Sequence, residues 1–229
     1  MLKEAADGFL ADKAPIAHFR ALRDSRDATG LSREVWADFG EMGFAGVLVA
    51  EDSAVLSARI LSQGGSDAQK TWLGRIAAGQ AIVALAIDEG VKHAPDALDA
   101  RAERSGNGYR LSGTKAMVLD GHIADALIIA ARIGDETALF LVEPGAKGLQ
   151  TERTIMVDGH NASRLILEEV EVDADALIGS PGQGGALVAS ALMLGRGCAA
   201  ASLVGAGDQA FQITLDYLKT RSQFGRLIG

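Results

Sequence analysis

A chain of 229 residues, of which 48% are hydrophobic, is long enough to bury a sizeable core. Its formal net charge of −8 provides no general attraction to nucleic acid, so a nucleic-acid-binding function is not expected. The single cysteine, Cys198, excludes a disulfide within the chain and the metal sites that need several thiolates. The four histidines share no ligand spacing, so no metal site is predicted.

The N-terminal stretch contains Glu4 and Asp7 where a signal peptide needs a basic and then an apolar segment. The most apolar region runs from Gly184 to Gly207, but Arg196 interrupts it. Its apolar runs are therefore expected to be too short to span a bilayer. These features predict a cytoplasmic protein that has no membrane association.

Helical periodicity dominates the first 79 residues. Apolar side chains recur at helical spacing in residues 1–24 and again in 54–62. A helix over Ser32–Met42 begins with a residue that favours the N-cap position. Ser66 and Gln69 have the form of a capping box and predict one more helix, which Gly79 closes.

From residue 80 to residue 178 the pattern changes to short apolar or alternating runs, separated by turns rich in Gly and Asp. Strands at this spacing are typical of an antiparallel sheet pair or a barrel. In chain order the predicted strands are 81–87, 109–113, 126–131, 137–142 and 164–170, with the second of them ending in a turn at Gly113.

A glycine-rich hinge at Gly179–Gly185 precedes a predicted long helix over residues 186–220, which is dense in Ala and Gly. Small residues let another helix approach closely, so this helix is expected to be buried in a bundle. The sequence thus predicts an α+β fold in three parts. They are an N-terminal helical domain (1–79), a middle antiparallel β domain with orthogonal or barrel-like sheets (80–178), and a C-terminal helical bundle present only as its first helix (179–229).

This order of helices, strands and bundle helix, together with the local motifs, resembles the flavin-dependent acyl-CoA dehydrogenases. The resemblance covers nearly the whole chain. It is carried by Val35–Phe44 leading to Val47–Glu51, Gly65–Gly79 (G-S-x-x-Q-K), Ser112–Gly121 with Ala124-Asp125, and Tyr217–Arg226 (R-x-Q-F-G).

The resemblance implies α,β-dehydrogenation of an acyl-CoA thioester, with a carboxylate as the base and FAD as the hydride acceptor. It also implies electron-transferring flavoprotein as the electron acceptor of the enzyme. The unpartnered bundle helix predicts a homodimer or a homotetramer.

The same resemblance assigns site residues. Ile87 and Asp88 are expected along the flavin ring, and Val118 and Leu119 are expected at its other edge, mainly through backbone groups. Arg221, Gln223 and Phe224 are expected to hold the adenine-diphosphate half across a subunit interface, and Arg196 is expected near the base and the thioester.

Ordinary structural roles remain open for some of these residues. Arg221 could be a charge that favours a helix C-terminus, and Asp88 could belong to a solvated turn. Arg196 lies in an apolar helix, where burial would require a partner, so a functional role or a buried ion pair is favoured over a solvated position.

Several positions depart from the family pattern. Asp88 stands for a threonine, the Gly-Ser-Asp part of that loop is not recognisable, and Leu119 stands for a threonine at the end of a W-I-T motif. Gly195 occupies the position where some members have the base. After Asp52 a glycine-rich turn and a helix are expected, but Ser53 follows at once.

The catalytic base is consequently expected beyond Gly229, with three further bundle helices, or it is absent. Three functions stay open. They are an active acyl-CoA dehydrogenase, a degenerate non-catalytic subunit of a heteromeric one, and an acyl-CoA oxidase-like or nitroalkane-oxidase-like flavoenzyme.

Overall fold

The computed structural model describes residues 2–44, 53–157 and 159–229. Helices come first, strands follow, and one long helix comes after the strands. The helices are α1 (Leu2–Lys13), α2 (Ile16–Asp24), α3 (Arg33–Glu41), α4 (Ser53–Gly64), α5 (Asp67–Ala77) and α6 (Gly184–Thr220).

The strands occupy the middle of the chain, apart from a short pair at its end. They are β1 (Val83–Ala86), β2 (Arg101–Ser105), β3 (Gly108–Leu119), β4 (Ala126–Ile133), β5 (Glu136–Val142), β6 (Leu149–Ile155), β7 (Asn161–Val172), β8 (Leu177–Ile178), β9 (Ser222–Gln223) and β10 (Arg226–Leu227).

The predicted helix caps are present in the structure. The Ser32 side chain accepts a hydrogen bond from the Val35 amide at the start of α3. At the start of α5, Ser66 and Gln69 form both bonds of the capping box. These bonds satisfy amides that have no partner inside the helix, which is why the two helices begin at these residues.

Most of the sheet is antiparallel, as predicted. Its strand order is β6-β7-β3-β2-β4-β5-β8, with β1 paired to β4 off this path. Two pairings are parallel and were not anticipated: β1 with β4, where Val83 aligns with Ala126, and β2 with β4 at Arg101 and Arg132. The sheet is therefore mixed within the predicted α+β fold.

Two apolar clusters lie on opposite faces of this sheet. Alternate residues of β1 and β4, such as Leu85 and Ile128, pack with α4, α5 and the start of α6. The intervening residues, such as Leu127 and Ile129, pack with β3, β5 and β7. Because both faces of β4 are buried, its sequence is a continuous apolar run rather than an alternating one.

Strand β3 differs from its prediction. It does not end in a turn at Gly113 but continues to Leu119, with register shifts against β7 on either side of Lys115. Gly113 has φ +140, and a Cβ there would lie 2.7 Å from Ala100, so glycine lets the strand pass this point. This extension positions residues 115–119 beside the end of β1.

Helix α6 begins in contact with the sheet core and then leaves it. Leu187, Val188 and Ala191 are buried, whereas Leu203, Val204 and most later residues are exposed. By length and composition alone the helix could cross a membrane. The expectation that its apolar runs are too short to cross a membrane was wrong. Length and composition alone do not separate a membrane span from the buried core helix of a soluble protein.

Candidate flavin-edge site

The two segments predicted to border the flavin ring lie next to each other. Asp88 follows β1, and its carbonyl oxygen accepts a hydrogen bond of 2.8 Å from the Ala116 amide on β3. Ile87 and Val118 are only 7% and 1% exposed, since each belongs to an apolar cluster. Little of either residue, side chain or backbone, is therefore open to a ligand in this chain. We call residues 87–88 and 117–119 the flavin-edge segments.

The exposed part of this region lies at a bulge in β3. Met117 has φ +52, a conformation that costs energy for a residue with a side chain, and the residue is 47% exposed. Leu119 is half-buried. The bulge presents an apolar side chain near the C-terminal end of β3, beside the end of β1.

Asp88 is not a solvated turn residue. One carboxylate oxygen accepts the Ala94 amide at 2.8 Å, and the other lies 2.8 Å from His93 Nδ1. The Asp88 side chain is 16% exposed, and that of His93 is 51% exposed. These bonds organise the loop that replaces the unrecognised Gly-Ser-Asp sequence.

Behind the loop lies a buried ion pair that the sequence did not suggest. Lys115 Nζ is 2.6 Å from Glu89 Oε1, and the two side chains are 0% and 13% exposed. Burial lowers the pKa of Lys115, and the hydrogen bond to Glu89 opposes this shift. Burial acts to raise the pKa of Glu89, but hydrogen bonds from Lys115 and the Asp99 amide outweigh it and hold that pKa below its ordinary value.

The predicted adenine-diphosphate contacts lie at the other end of α6. This helix has 37 residues, which at about 1.5 Å per residue span roughly 55 Å. Beyond it β9 and β10 form a hairpin, in which Phe224 and Gly225 have φ +52 and +77 and Phe224 is fully exposed. Positive φ at both corner residues is the pattern of a type I′ turn, which explains the glycine in R-x-Q-F-G. Arg221 and Gln223 are also exposed.

Arg196 is exposed on α6, so the burial expected for it is not found in this chain. The neighbouring Gly195 faces α4, where a Cβ would lie 2.8 Å from the end of the Leu56 side chain. The position that holds the base in some acyl-CoA dehydrogenases is thus filled here by helix packing. Residues Val47–Glu51, which the resemblance assigned near the acyl pocket, lie outside the described residues.

Within residues 2–44, 53–157 and 159–229, no cluster of three or more His, Cys, Asp or Glu side chains could hold a metal ion. Sequence reasoning identified the flavin-edge segments by resemblance but missed Glu89 and Lys115. The signal available for them was that Lys115 follows Tyr109 and Leu111 at alternate positions of β3, which places a lysine on the apolar face of the strand.

Comparison with known proteins places this fold among the acyl-CoA dehydrogenases. No protein-family model matches the chain. It is 30% identical over 180 residues to an L-prolyl-(peptidyl-carrier protein) dehydrogenase from Serratia sp., covering 72% of this chain and 45% of that protein. It is 32% identical over 180 residues to the acyl-CoA dehydrogenase FadE27 of Mycobacterium tuberculosis, covering 78% and 46%.

Among solved structures, a chain of the ChsE4-ChsE5 complex from Mycobacterium tuberculosis is 26% identical and superposes with a TM-score of 0.83, covering 99% of this chain and 68% of that one. The protein belongs to the acyl-CoA dehydrogenase family. The chain spans about half the length of the two curated relatives it matches.

The residues at the flavin-edge segments fit an isoalloxazine ring. The exposed Met117 bulge and the end of β1 provide an apolar edge with backbone groups. Both Asp88 oxygens are already engaged by the Ala94 amide and His93, and an ionised carboxylate has no hydrogen to donate, so this side chain does not suit a ring carbonyl. This differs from a threonine, whose hydroxyl can also donate.

Proposed function

We propose that the full-length protein is an FAD-dependent dehydrogenase that forms a double bond between Cα and Cβ of an acyl thioester. The observation that carries this proposal is the junction of the flavin-edge segments, joined by the 2.8 Å bond from the Ala116 amide to the Asp88 carbonyl. The acyl carrier is coenzyme A or a carrier protein, since relatives of similar identity are named for each.

Bound FAD would supply the acceptor for the hydride that leaves Cβ. Ile87 and Asp88 would lie along the ring, and Val118 and Leu119 would lie at its other edge. Ile87 and Val118 are buried, whereas Asp88 and Leu119 are half-buried and have the surface that a ligand could contact.

The hairpin after α6 would serve the other half of the cofactor. Arg221 presents a planar guanidinium, which suits a pair of phosphate oxygens, with Gln223 and Phe224 beside it. Because this hairpin lies about 55 Å along α6 from the helix start, we assign it to the cofactor of a neighbouring subunit in a homodimer or homotetramer. Electron-transferring flavoprotein is the proposed electron acceptor of this enzyme, in the cytoplasm.

Removal of the α proton requires a base, and Gly195 has no group that can accept a proton. We assign the base to residues beyond Gly229. Arg196 projects from α6 one position further on and is exposed, so its guanidinium is available to stabilise the negative charge that develops on the thioester oxygen.

A second candidate function is that of a non-catalytic subunit in a heteromeric dehydrogenase. It is favoured by Gly195, whose space is taken up by Leu56, and by Asp88 in place of a threonine. One structural relative at 26% identity is described as a complex of two named components. In this function the chain supports the active site of a different subunit.

The test is anaerobic titration of the FAD-loaded full-length protein with acyl-CoA and carrier-bound acyl thioesters, followed by visible absorbance. Bleaching of the flavin bands is expected with at least one thioester. If FAD binds and no thioester bleaches it, the dehydrogenase function is contradicted and the non-catalytic subunit is favoured.

Arg221→Met is expected to weaken retention of FAD in the same preparation. Arg226→Met is the matched control, because it removes a second exposed guanidinium from the same hairpin. Equal FAD retention in the two variants would contradict the role assigned to Arg221.

A further inference from the structure

Glu89 joins three parts of the chain at one carboxylate. Its Oε2 accepts the Asp99 amide at 2.6 Å, and its Oε1 accepts the Ala100 amide at 3.1 Å and the Lys115 ammonium at 2.6 Å. The first two bonds close the loop over residues 88–100 just before β2. The third ties that loop to β3.

These links lie directly beside the junction of the flavin-edge segments. Glu89 follows Asp88, and Lys115 precedes Ala116, which are the two residues whose backbone groups form the 2.8 Å bond between the segments. The ion pair and this hydrogen bond therefore form two consecutive cross-links between the end of β1 and β3. A shift at one link would move the other.

We propose that the buried Glu89–Lys115 pair is a positioning device that fixes the flavin-edge segments 87–88 and 117–119 relative to each other. This inference rests on the proposed flavin function. Neither residue is itself assigned a contact with the cofactor. Lys115 is fully buried, and Glu89 already uses both oxygens for Lys115 and the loop amides.

A buried ion pair often contributes little to stability compared with an apolar pair of similar size, because both charges lose their hydration. A role in positioning makes a different prediction from a role in stability alone. Replacing both charges can restore stability, but it cannot restore the acceptor for the Asp99 and Ala100 amides. The loop would then spend less time in the conformation that binds flavin.

The experiment uses the full-length protein with three variants: Glu89→Leu, the double variant Glu89→Leu/Lys115→Met, and Asp135→Asn as a control. Asp135 forms an exposed ion pair with Arg132 at 2.6 Å, in the turn that follows β4. For each protein, the melting temperature, the dissociation constant for FAD and the amide hydrogen exchange of the flavin-free form are measured.

Glu89→Leu is expected to melt at a lower temperature, since it leaves Lys115 buried without a partner. The double variant is expected to regain most of that loss, yet to bind FAD about tenfold more weakly, because an apparent affinity falls in proportion to the competent population. Exchange at Asp99, Ala100 and Ala116 should be faster than in the wild type. Asp135→Asn should leave FAD binding unchanged.

Recovery of FAD affinity together with the melting temperature in the double variant would overturn the positioning role. Absence of FAD binding by the wild-type protein would instead be a failure of the proposed function, and the two results are distinguishable in one data set.

If the double variant does not fold, the single variant Lys115→Met tests the positioning role. In this variant Glu89 keeps its two amide donors, so only the link to β3 is lost. Weaker FAD binding with fast exchange at Ala116, and slow exchange at Asp99, supports the proposal. Unchanged FAD binding overturns it.

Discussion

Substitution of Gln69 tests why the G-S-x-x-Q-K stretch has a glutamine at this position. Gln69 is only 4% exposed, and its side-chain oxygen accepts the Ser66 amide at 2.9 Å. Its side-chain nitrogen donates to the carbonyls of Asp175, Ala176 and Leu177 at 2.7, 3.3 and 3.2 Å. One amide thus caps α5 and ties it to the segment that leads into β8.

Gln69→Ala removes both functions. Loss of the cap bond costs about 0.5–2 kcal/mol, and leaving these part-buried carbonyls without their donor costs about 1–3 kcal/mol. The expected decrease in the free energy of unfolding is about 2–4 kcal/mol. For a chain of this size that corresponds to a melting temperature about 5–15 °C lower.

Gln69→Glu separates the two functions. The carboxylate keeps an acceptor for the Ser66 amide at a helix N-terminus, where negative charge is favourable. It has no donor for the three carbonyls when ionised, so it is expected to be less stable than Gln69→Ala at pH 7. The folded state raises the pKa of the new glutamate, so stability should rise as pH falls toward its unfolded pKa of about 4.3.

The assay is urea unfolding of the full-length protein at pH 7 and at acidic pH. Gln63→Glu is the matched control, since Gln63 is an exposed glutamine on α4, and it is expected to change the free energy of unfolding by less than about 0.5 kcal/mol. A Gln69→Glu variant as stable as the wild type at pH 7 would refute the reasoning.

Three further changes have definite expected results. Arg153→Met removes donors to the carbonyls of residues 27 and 28, so the free energy of unfolding measured with urea should fall by about 2 kcal/mol. Arg164→Met is the control: it breaks an exposed ion pair and should change the free energy of unfolding by less than about 0.5 kcal/mol. Burial, and to a lesser extent Arg153, lowers the pKa of His122, so the melting temperature should fall as pH drops below about 6.5. His122→Gln should remove this dependence of the melting temperature on pH. The same pH dependence in the variant and the wild type would contradict the assignment to His122. Gly225→Val forces a branched residue to φ +77, which costs about 1–2 kcal/mol in the hairpin. The variant should retain less FAD than the wild type, as measured by absorbance after gel filtration. Full retention of FAD would contradict the role of the hairpin.

Local sequence signals predicted the helices and central strands because those elements depend on near neighbours. The cap at Ser32 and the capping box at Ser66 act over three residues, and β4 is a continuous apolar run because both of its faces are buried. Strands β2 and β6 were missed for the opposite reason. Both are polar and largely exposed, so their pairing is decided by neighbouring strands rather than by their own composition.

The candidate site was predictable only in part. Resemblance identified the flavin-edge segments, but the register shifts around Lys115 and the passage through Gly113 depend on pairing with β7. The Glu89–Lys115 pair joins residues 26 positions apart, and no local pattern relates them. The exposure of Arg196 was likewise not predictable, because it depends on which helices cover α6.

The central claim is that residues 87–88, 117–119 and 221–224 bind FAD. The most direct measurement is amide hydrogen exchange of the full-length protein with and without FAD, resolved to short peptides. The account predicts slower exchange in all three segments when FAD is bound, with the exposed edge strand β6 unchanged as an internal reference. Binding of FAD without protection of these segments, or no binding of FAD at all, would contradict the account.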